Sequence, residues 1–476
     1  MPRIYNSLIN SEMVLNPEKH TYDLWKKNPF PIALDFYFFN WTNPEDLMNS
    51  TVKPHVVEMG PYRFTETKKK VDIVWNNNGT VSFRQLRNWY FDEEYSAGSL
   101  EDEVTTLNAV AVTAAAQAKL VPYIVQRTMS MTMTVSQKVH ITKTVGELLF
   151  QGYEEKLIDM GRTFTIPGVT IPPFDKFGWF YMRNGSTDFD GLFNMGTGEG
   201  DIPLGRIDRW NHERKTPFYE GTCGRVAGSA GEFWPQHITS DSISMFSPDM
   251  CREVTFDFDE EITVQGIKGY KFVGNRRTMD NGSMYPENEC SCNGDCVPSG
   301  LLNISACRYG SPGFISFPHF YIADPYYVDH FDGLSPNKEQ HEMSITLEPR
   351  TGIPLAVAAR FQINILMTPN PIISIFQNVP KLFFPMMWFE QEVVIPDNLA
   401  YDLRQLVNMP NVARIIAYIL ISCGALILAT LLIIHLSKFL TNTERNKDLH
   451  KTEFNREQQP LNENGINVQI TAKTVA

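Results

Sequence analysis

Hydrophobic and polar residues alternate along several stretches of this chain. Val71-Asp-Ile-Val-Trp75 is followed by Asn76-Asn-Asn-Gly79 and then by Val81-Ser-Phe-Arg-Gln-Leu-Arg87. Successive side chains on a strand point to opposite faces, so this pattern predicts two half-buried strands joined by a hairpin. Asn-Gly supplies the positive φ of its turn. Val254-Thr-Phe-Asp-Phe-Asp259 and Phe361-Gln-Ile-Asn-Ile365 alternate in the same way, and Pro and Gly punctuate the chain throughout. Long-range antiparallel β structure is the expectation.

Residues 101–160 break the pattern. From Glu101 to Lys119 the chain reads EDEVTTLNAVAVTAAAQAK. Acidic residues open it, alanines fill it and a lysine closes it, an order that complements a helix macrodipole. Thr144-Val-Gly-Glu147 has capping-box spacing and predicts a second helix running to Leu157. Arg127 to Lys143, rich in Met, Thr and Val, lies between them. The region reads as a helical insertion in a β-rich body.

One stretch does not alternate at all. Ile415–Ile434 holds 20 residues and no charge. As a helix it reaches about 30 Å, the thickness of a bilayer's hydrocarbon core, so it predicts a spanning helix. Lys438, Arg445, Lys447 and Lys451 follow it, whereas only Arg404 and Arg414 precede it closely. The positive-inside rule then places 435–476 in the cytosol and 1–414 in the lumen or outside the cell. Residues 1–40 contain no apolar run of spanning length and no signal-peptide order. The expectation is that a spanning segment precedes Met1 in the intact protein.

Two further features fit an exported ectodomain. Asn-x-Ser/Thr sequons stand at Asn40, Asn49, Asn78, Asn184, Asn281 and Asn303, all ahead of the span. Cys223, Cys251, Cys290, Cys292, Cys296 and Cys307 form an even set within 85 residues, while Cys423 lies inside the span. Such a set in an exported segment reads as disulfides. A zinc site would present Cys pairs twice, and only one cluster, 290–296, exists here.

Composition narrows the function classes. The net charge of −12 argues against general nucleic-acid binding. Aromatics make up 12%, with 31 Phe, which suits a large β core or an apolar cavity equally. There is no Gly-x-Ser-x-Gly elbow and no His-Glu-x-x-His. Gly196-Thr-Gly-Glu-Gly200 lacks the Lys-Ser/Thr ending of a phosphate loop and reads as a turn. Neither an enzyme nor a cofactor is expected.

Several short motifs occur together. They are Tyr37-Phe-Phe-Asn-Trp-Thr-Asn-Pro44, Gly60-Pro-Tyr-Arg-Phe64, Thr144-Val-Gly-Glu-Leu-Leu149, Phe246-Ser-Pro-Asp-Met-Cys-Arg252, Pro318-His-Phe320, Gly333-Leu-Ser-Pro-Asn337 and Glu348-Pro-Arg-Thr-Gly352. In this order, from about residue 12 to 435, they resemble the class B scavenger receptor family. The likeness is greatest to the croquemort, epithelial membrane protein and sensory neuron membrane protein kind, with lysosomal integral membrane protein type 2 a vertebrate relative. The resemblance implies an α+β fold: an irregular antiparallel β-barrel ectodomain with an apical helical bundle, an internal apolar tunnel and a C-terminal transmembrane helix. Relatives carry two spanning helices; this sequence holds the second. By analogy Cys223 pairs with Cys290, Cys251 with Cys307 and Cys292 with Cys296. The implied domains are an ectodomain over 1–414, with the helical region at 101–160 and a disulfide-rich segment at 223–307, a span at 415–434 and a tail at 435–476.

The resemblance implies a cell-surface receptor for lipid-rich or anionic particles. It would pass fatty acid, sterol or carotenoid to the membrane, and lipoprotein and apoptotic cells are candidate partners. Capture would use the crown, where Lys119, Arg127, Lys138, His140 and Lys143 form a candidate basic patch. A solvated helix face is the alternative reading of those residues. His140 could change charge between neutral and endosomal pH. The second hypothesis is an endosomal or lysosomal membrane receptor for a protein cargo or for lipid export. Glu457-Gln-Gln-Pro460-Leu461 resembles an acidic dileucine sorting signal, but Asn462 stands where Leu or Ile is usual. The cell surface is therefore preferred. Homo-oligomerisation stays open.

Overall fold

The computed structural model describes residues 2–163, 171–294 and 296–457. The chain divides into two units, Met1–Gln405 and Leu406–Ala476. In the first, α1 (Pro2–Met13) and α2 (His20–Lys26) precede β1 (Ile32–Trp41), β2 (Val56–Asn76) and β3 (Thr80–Phe91). Then come β4 (Glu103–Leu107), α3 (Ala109–Gln117), α4 (Tyr123–Ser136), β5 (His140–Thr144), a π-helical turn (Glu147–Gln151), β6 (Tyr153–Glu154) and α5 (Lys156–Thr163). The remainder holds β7 (Lys176–Phe177), β8 (Phe193–Gly196), β9 (Ile207–Trp210), β10 (Ser242–Ser247), β11 (Arg252–Val264), β12 (Ile267–Val273), β13 (Leu302–Asn303) and β14 (Gly313–Ser316). It ends with α6 (Pro325–Asp329), α7 (Lys338–His341), β15 (Ser344–Leu347), β16 (Pro354–Met367), β17 (Leu382–Val394) and the start of α8 (Asp397–Glu457).

Thirteen strands form one antiparallel sheet, in the order β10-β11-β12-β15-β16-β17-β1-β2-β3-β8-β9, with β14 beside β16 and β13 beside β14. Its outer strands nearly meet. Ser229 bridges both Arg206, just ahead of β9, and Met245 in β10. Ser229 N–H donates to Ser244 O, Phe246 N–H to Ser229 O, and Ile207 N–H to Gly228 O, each at 2.9 Å. A short irregular segment therefore covers two edges that would otherwise expose unpaired backbone. The result is the α+β architecture with an irregular, nearly closed barrel.

Alternation along the central strands sets the core. Phe36, Phe38 and Phe39 of β1 are buried, with Phe64 of β2 and Trp89 of β3. Phe36 meets Phe180 edge to face at 4.9 Å, and Phe150 lies 4.8 Å from Phe64. The same cluster continues into Val104, Leu107, Ala111, Ala115 and Leu148 of the helical region, which fastens that region to the barrel. Two motif glycines are required by close backbone approach. A Cβ on Gly60 (φ +140°) would sit 2.6 Å from Phe36 O, and one on Gly333 (φ +98°) 1.9 Å from Val56 O.

The helical region differs in detail from expectation. The predicted helix from Glu101 to Lys119 is α-helical only over Ala109–Gln117, continued by a 3-10 turn at Ala118–Leu120; Glu103–Leu107 is a strand paired with β5. Val104, Thr105 and Thr106 favour a strand, and Asn108 starts the helix by accepting from Ala111 N–H at 3.0 Å. The capping box does form: Thr144 N–H donates to Glu147 Oε2 at 3.1 Å and Glu147 N–H to Thr144 Oγ1 at 3.2 Å. Its helix, expected to reach Leu157, stops at Gln151 because Gly152 (φ +69°) turns the chain. The stretch between the two expected helices supplies the longest helix of the region, α4.

Three disulfides join Cys223 to Cys290, Cys251 to Cys307 and Cys292 to Cys296. The second unit is the remainder of α8, where Ile415, Ile419, Leu428 and Leu432 are more than half exposed. It contains the one helix among the described residues long and apolar enough to cross a membrane. Pro460 and Leu461 of the candidate sorting signal lie outside the described residues, and Glu457 ends α8.

Candidate functional site

Helix α4 carries an apolar face that no other segment covers among the described residues. Tyr123, Ile124, Met131 and Val135 are 65%, 72%, 72% and 90% exposed, and Leu120 just before them is 69% exposed. Spacings of seven and four residues place Ile124, Met131 and Val135 along one side of the helix, with Tyr123 next to Ile124 at its start. Arg127 is exposed within the same stretch. The opposite side is held. Met133 is buried in the main core, and Ser130 Oγ accepts from Ser374 N–H at 3.0 Å.

Four hydroxyls of α4 are satisfied within the helix. Thr128, Thr132, Thr134 and Ser136 donate their hydroxyls to the carbonyls of Ile124, Thr128, Ser130 and Thr132, at 2.7–3.2 Å. Such back-bonding removes donors that would otherwise require water. The exposed face can therefore enter an apolar phase at little polar cost.

The candidate basic residues separate into two groups. Lys119 and Lys138 are exposed, like Arg127, and Lys119 Nζ donates to Thr368 Oγ1 at 3.1 Å. The other two lie on β5 and are engaged. Lys143 pairs with Glu147 at 3.4 Å and sits over the Tyr153 ring at 4.8 Å. His140 lies 3.6 Å from Glu45 and edge-on to Trp41. Burial holds its imidazole below the ordinary range, Glu45 opposes this and Lys138 adds to it. The available surface is thus apolar with a cationic fringe. Sequence reading missed the apolar part, although Ile124, Met131 and Val135 keep helical spacing behind Pro122.

The barrel wall carries buried ionic groups. Arg63 Nε donates to Asp35 Oδ1 at 2.6 Å, and Arg87 Nε to Glu66 Oε1 at 2.6 Å. Glu232 accepts from both Lys68 and Lys70. Burial pulls the Lys70 ammonium down to about 7, and Glu232 opposes that fall. Tyr37 stacks on Trp388 with centroids 3.8 Å apart.

The sequence profile of the CD36 family matches residues 1–435. "Protein peste" of Drosophila melanogaster is 42% identical over 88% of this chain and 76% of its own length. The chain belongs to the CD36 family. Within it, "Scavenger receptor class B member 1" of Bos taurus is 32% identical, over 90% of this chain and 84% of its own. "Lysosome membrane protein 2" of Homo sapiens is 32% identical, over 87% and 86%. The family resemblance read from the motifs is borne out. The last two relatives are named for receptor and membrane roles rather than for catalysis.

The sequons of this CD36-family chain occupy different settings. Asn49, Asn78 and Asn184 are exposed. Asn184 pairs with the Trp89 backbone through both amide atoms, each at 3.1 Å. Asn40 is half-buried and accepts from Thr105 N–H at 2.9 Å. Asn281 and Asn303 are buried, 2% and 8% exposed.

Proposed function

We propose that this chain is a membrane-anchored scavenger receptor that captures lipid-rich or anionic particles through α4 and hands lipid to the bilayer. Residues 1–414 face the lumen or cell exterior, 415–434 span, and 435–476 are cytosolic. The observation that supports this most is the exposed apolar face of α4 with its self-satisfied hydroxyls. Each Ile, Leu, Met or Val withdrawn from water contributes about 1.5–3 kcal/mol. Arg127, Lys119 and Lys138 add attraction for anionic head groups. Transfer follows an apolar tunnel through the barrel. Carrying lipid through water costs about 0.8 kcal/mol per CH₂, and a conduit removes most of that barrier. No catalytic step is involved. The cell surface is the site of action, since Asn462 departs from the dileucine sorting pattern.

The test is binding of cells displaying the full chain to vesicles of phosphatidylcholine and phosphatidylserine. Ile124→Asp with Met131→Asp should cut binding at least tenfold, and Arg127→Glu with Lys138→Glu several-fold, both at unchanged surface expression. Unchanged binding by the apolar double variant removes α4 from the proposal.

A further inference from the structure

A cavity of about 380 Å³ opens over the ends of β2, β3, β8 and β9. Polar residues line it across four strands. Asn76 pairs with Thr80 between β2 and β3, Ser82 with Asn194 between β3 and β8, and Asn194 with Arg209 between β8 and β9. Asn76 Nδ2 donates to Thr80 Oγ1 at 3.1 Å and to Ser82 Oγ at 3.0 Å. Asn194 Nδ2 donates to the same two oxygens, at 2.9 and 3.0 Å. Both amides thus direct their N–H groups to the hydroxyls. Among the described residues Asn76 Oδ1, Asn194 Oδ1 and the Ser82 hydroxyl proton have no hydrogen-bond partner. The exposed Arg209 guanidinium adds a donor at the margin. Acceptors and donors of this kind suit a sugar bearing an amide, an N-acetylhexosamine.

Asn78 is itself part of the cavity lining and is exposed. It heads the sequon Asn78-Gly79-Thr80, and Thr80 Oγ1 donates to its Oδ1 at 2.7 Å. Its Nδ2 makes no hydrogen bond among the described residues. Asn49 has the same local geometry, with Thr51 Oγ1 donating to its Oδ1 at 2.8 Å, but it lines neither this cavity nor the smaller one beside Arg63.

We propose that the cavity is a carbohydrate subsite for the protein's own glycan: the N-acetylhexosamine attached to Asn78 folds back onto Asn76, Ser82, Asn194 and Arg209. This rests on the luminal placement of residues 1–414. Attachment is ordinary transfer from a lipid-linked pyrophosphate donor. The bond from sugar C1 to phosphate oxygen breaks, the bond from C1 to Asn78 Nδ2 forms, and the amide loses one proton. The docked sugar then ties the β2–β3 hairpin to β8 and β9.

The test uses the full chain from glycosylating eukaryotic cells, treated while folded with a peptide-N-glycosidase, with release at each site followed by mass spectrometry. Release from Asn78 should be at least tenfold slower than from Asn49, and the two should be equal after heat denaturation. Asn194→Ala with Arg209→Ala should bring Asn78 to the Asn49 rate and leave Asn49 unchanged. Arg209→Ala alone, at an exposed position, should accelerate Asn78 release several-fold and serves if the double variant does not fold. Equal rates in the folded wild type overturn the subsite, as does slow release that no variant relieves. An unmodified Asn78 beside a modified Asn49 overturns the subsite while the placement stands. If Asn49 and Asn78 are both unmodified, the luminal placement falls and the subsite with it.

Discussion

The rings of His319 and His341 lie face to face, with centroids 4.5 Å apart and planes within 7°. Both are buried, at 4% and 3% exposure. His319 Nδ1 accepts from Ser335 N–H at 3.1 Å, and His341 Nδ1 from Asn337 N–H at 2.9 Å. His319 Nε2 therefore carries the proton and donates to Glu58 Oε2 at 2.6 Å, where Trp388 Nε1–H also donates at 2.7 Å. The two imidazoles thus hold the segment Ser335–Asn337 against the barrel wall. Arg360 holds the adjoining turn, donating to the Glu339 and Glu342 carbonyls at 3.1 and 2.9 Å.

This arrangement predicts acid lability. Burial, then the neighbouring His319, pushes His341 down to about 4; Glu58 opposes and Arg360 adds to the fall. The folded chain then binds fewer protons there than the unfolded chain, whose imidazole titrates near 6.5. Stability is full above pH 6.5 and declines as pH falls toward 4. The denaturant midpoint of the intact protein should drop over that window. His341→Asn keeps an acceptor for Asn337 N–H without a titrating group, so it should flatten the decline.

Glu66 governs a lower window. Burial pushes its carboxyl up, but Arg87, then Lys68 and Gln391, outweigh this and hold it at about 2. Its stabilisation is present above about pH 4.5 and is lost as pH falls toward 2. Glu66→Gln leaves the Arg87 guanidinium short of its counter-charge and should cost about 3–5 kcal/mol. Thermal or denaturant unfolding at neutral pH measures this.

Gly333→Ala should destabilise far more than its size suggests, because the new methyl would fall 1.9 Å from Val56 O at a φ of +98°. Gly221→Ala is the control. Its φ is +58° and nothing lies within 4 Å of the added carbon. That variant should lose only about 1–2 kcal/mol, the left-handed backbone cost. A comparable loss in both would contradict the packing seen at Val56.

Glycan occupancy should follow burial. Asn281 Nδ2 donates to Val297 O at 2.6 Å and Asn303 Nδ2 to Cys292 O at 3.3 Å, inside the protein. Folded protein from glycosylating cells should carry glycan at Asn49 and none at Asn281 or Asn303. Glycopeptide mapping decides it, and substantial occupancy of Asn281 would be incompatible with this interior.

Much of the barrel was legible because strands announce themselves locally. Val254–Asp259 and Phe361–Ile365 alternate, and they lie in β11 and β16. The α4 surface was not legible for a physical reason. A stripe such as Ile124, Met131 and Val135 reads alike whether it faces core or solvent, and only the packing of Met133 and Ser130 shows which side is turned in. The acidic opening at Glu101 misled because β-branched Val104, Thr105 and Thr106 found a partner strand 37 residues away, as the Thr105–Thr142 hydroxyl contact illustrates. The Glu58–His319–His341–Trp388 group was hidden by separation, since the Glu58–Trp388 contact alone spans 330 positions.

Whether α4 enters lipid can be read directly. Cys423 is the free cysteine among the described residues, so a Cys423→Ser background permits single labelling. An environment-sensitive fluorophore on Met131→Cys should shift to the blue when phosphatidylcholine–phosphatidylserine vesicles are added to the full-length protein, and the same label on exposed Glu154→Cys should not. An unshifted spectrum at position 131 alongside bound vesicles would contradict capture by this helix.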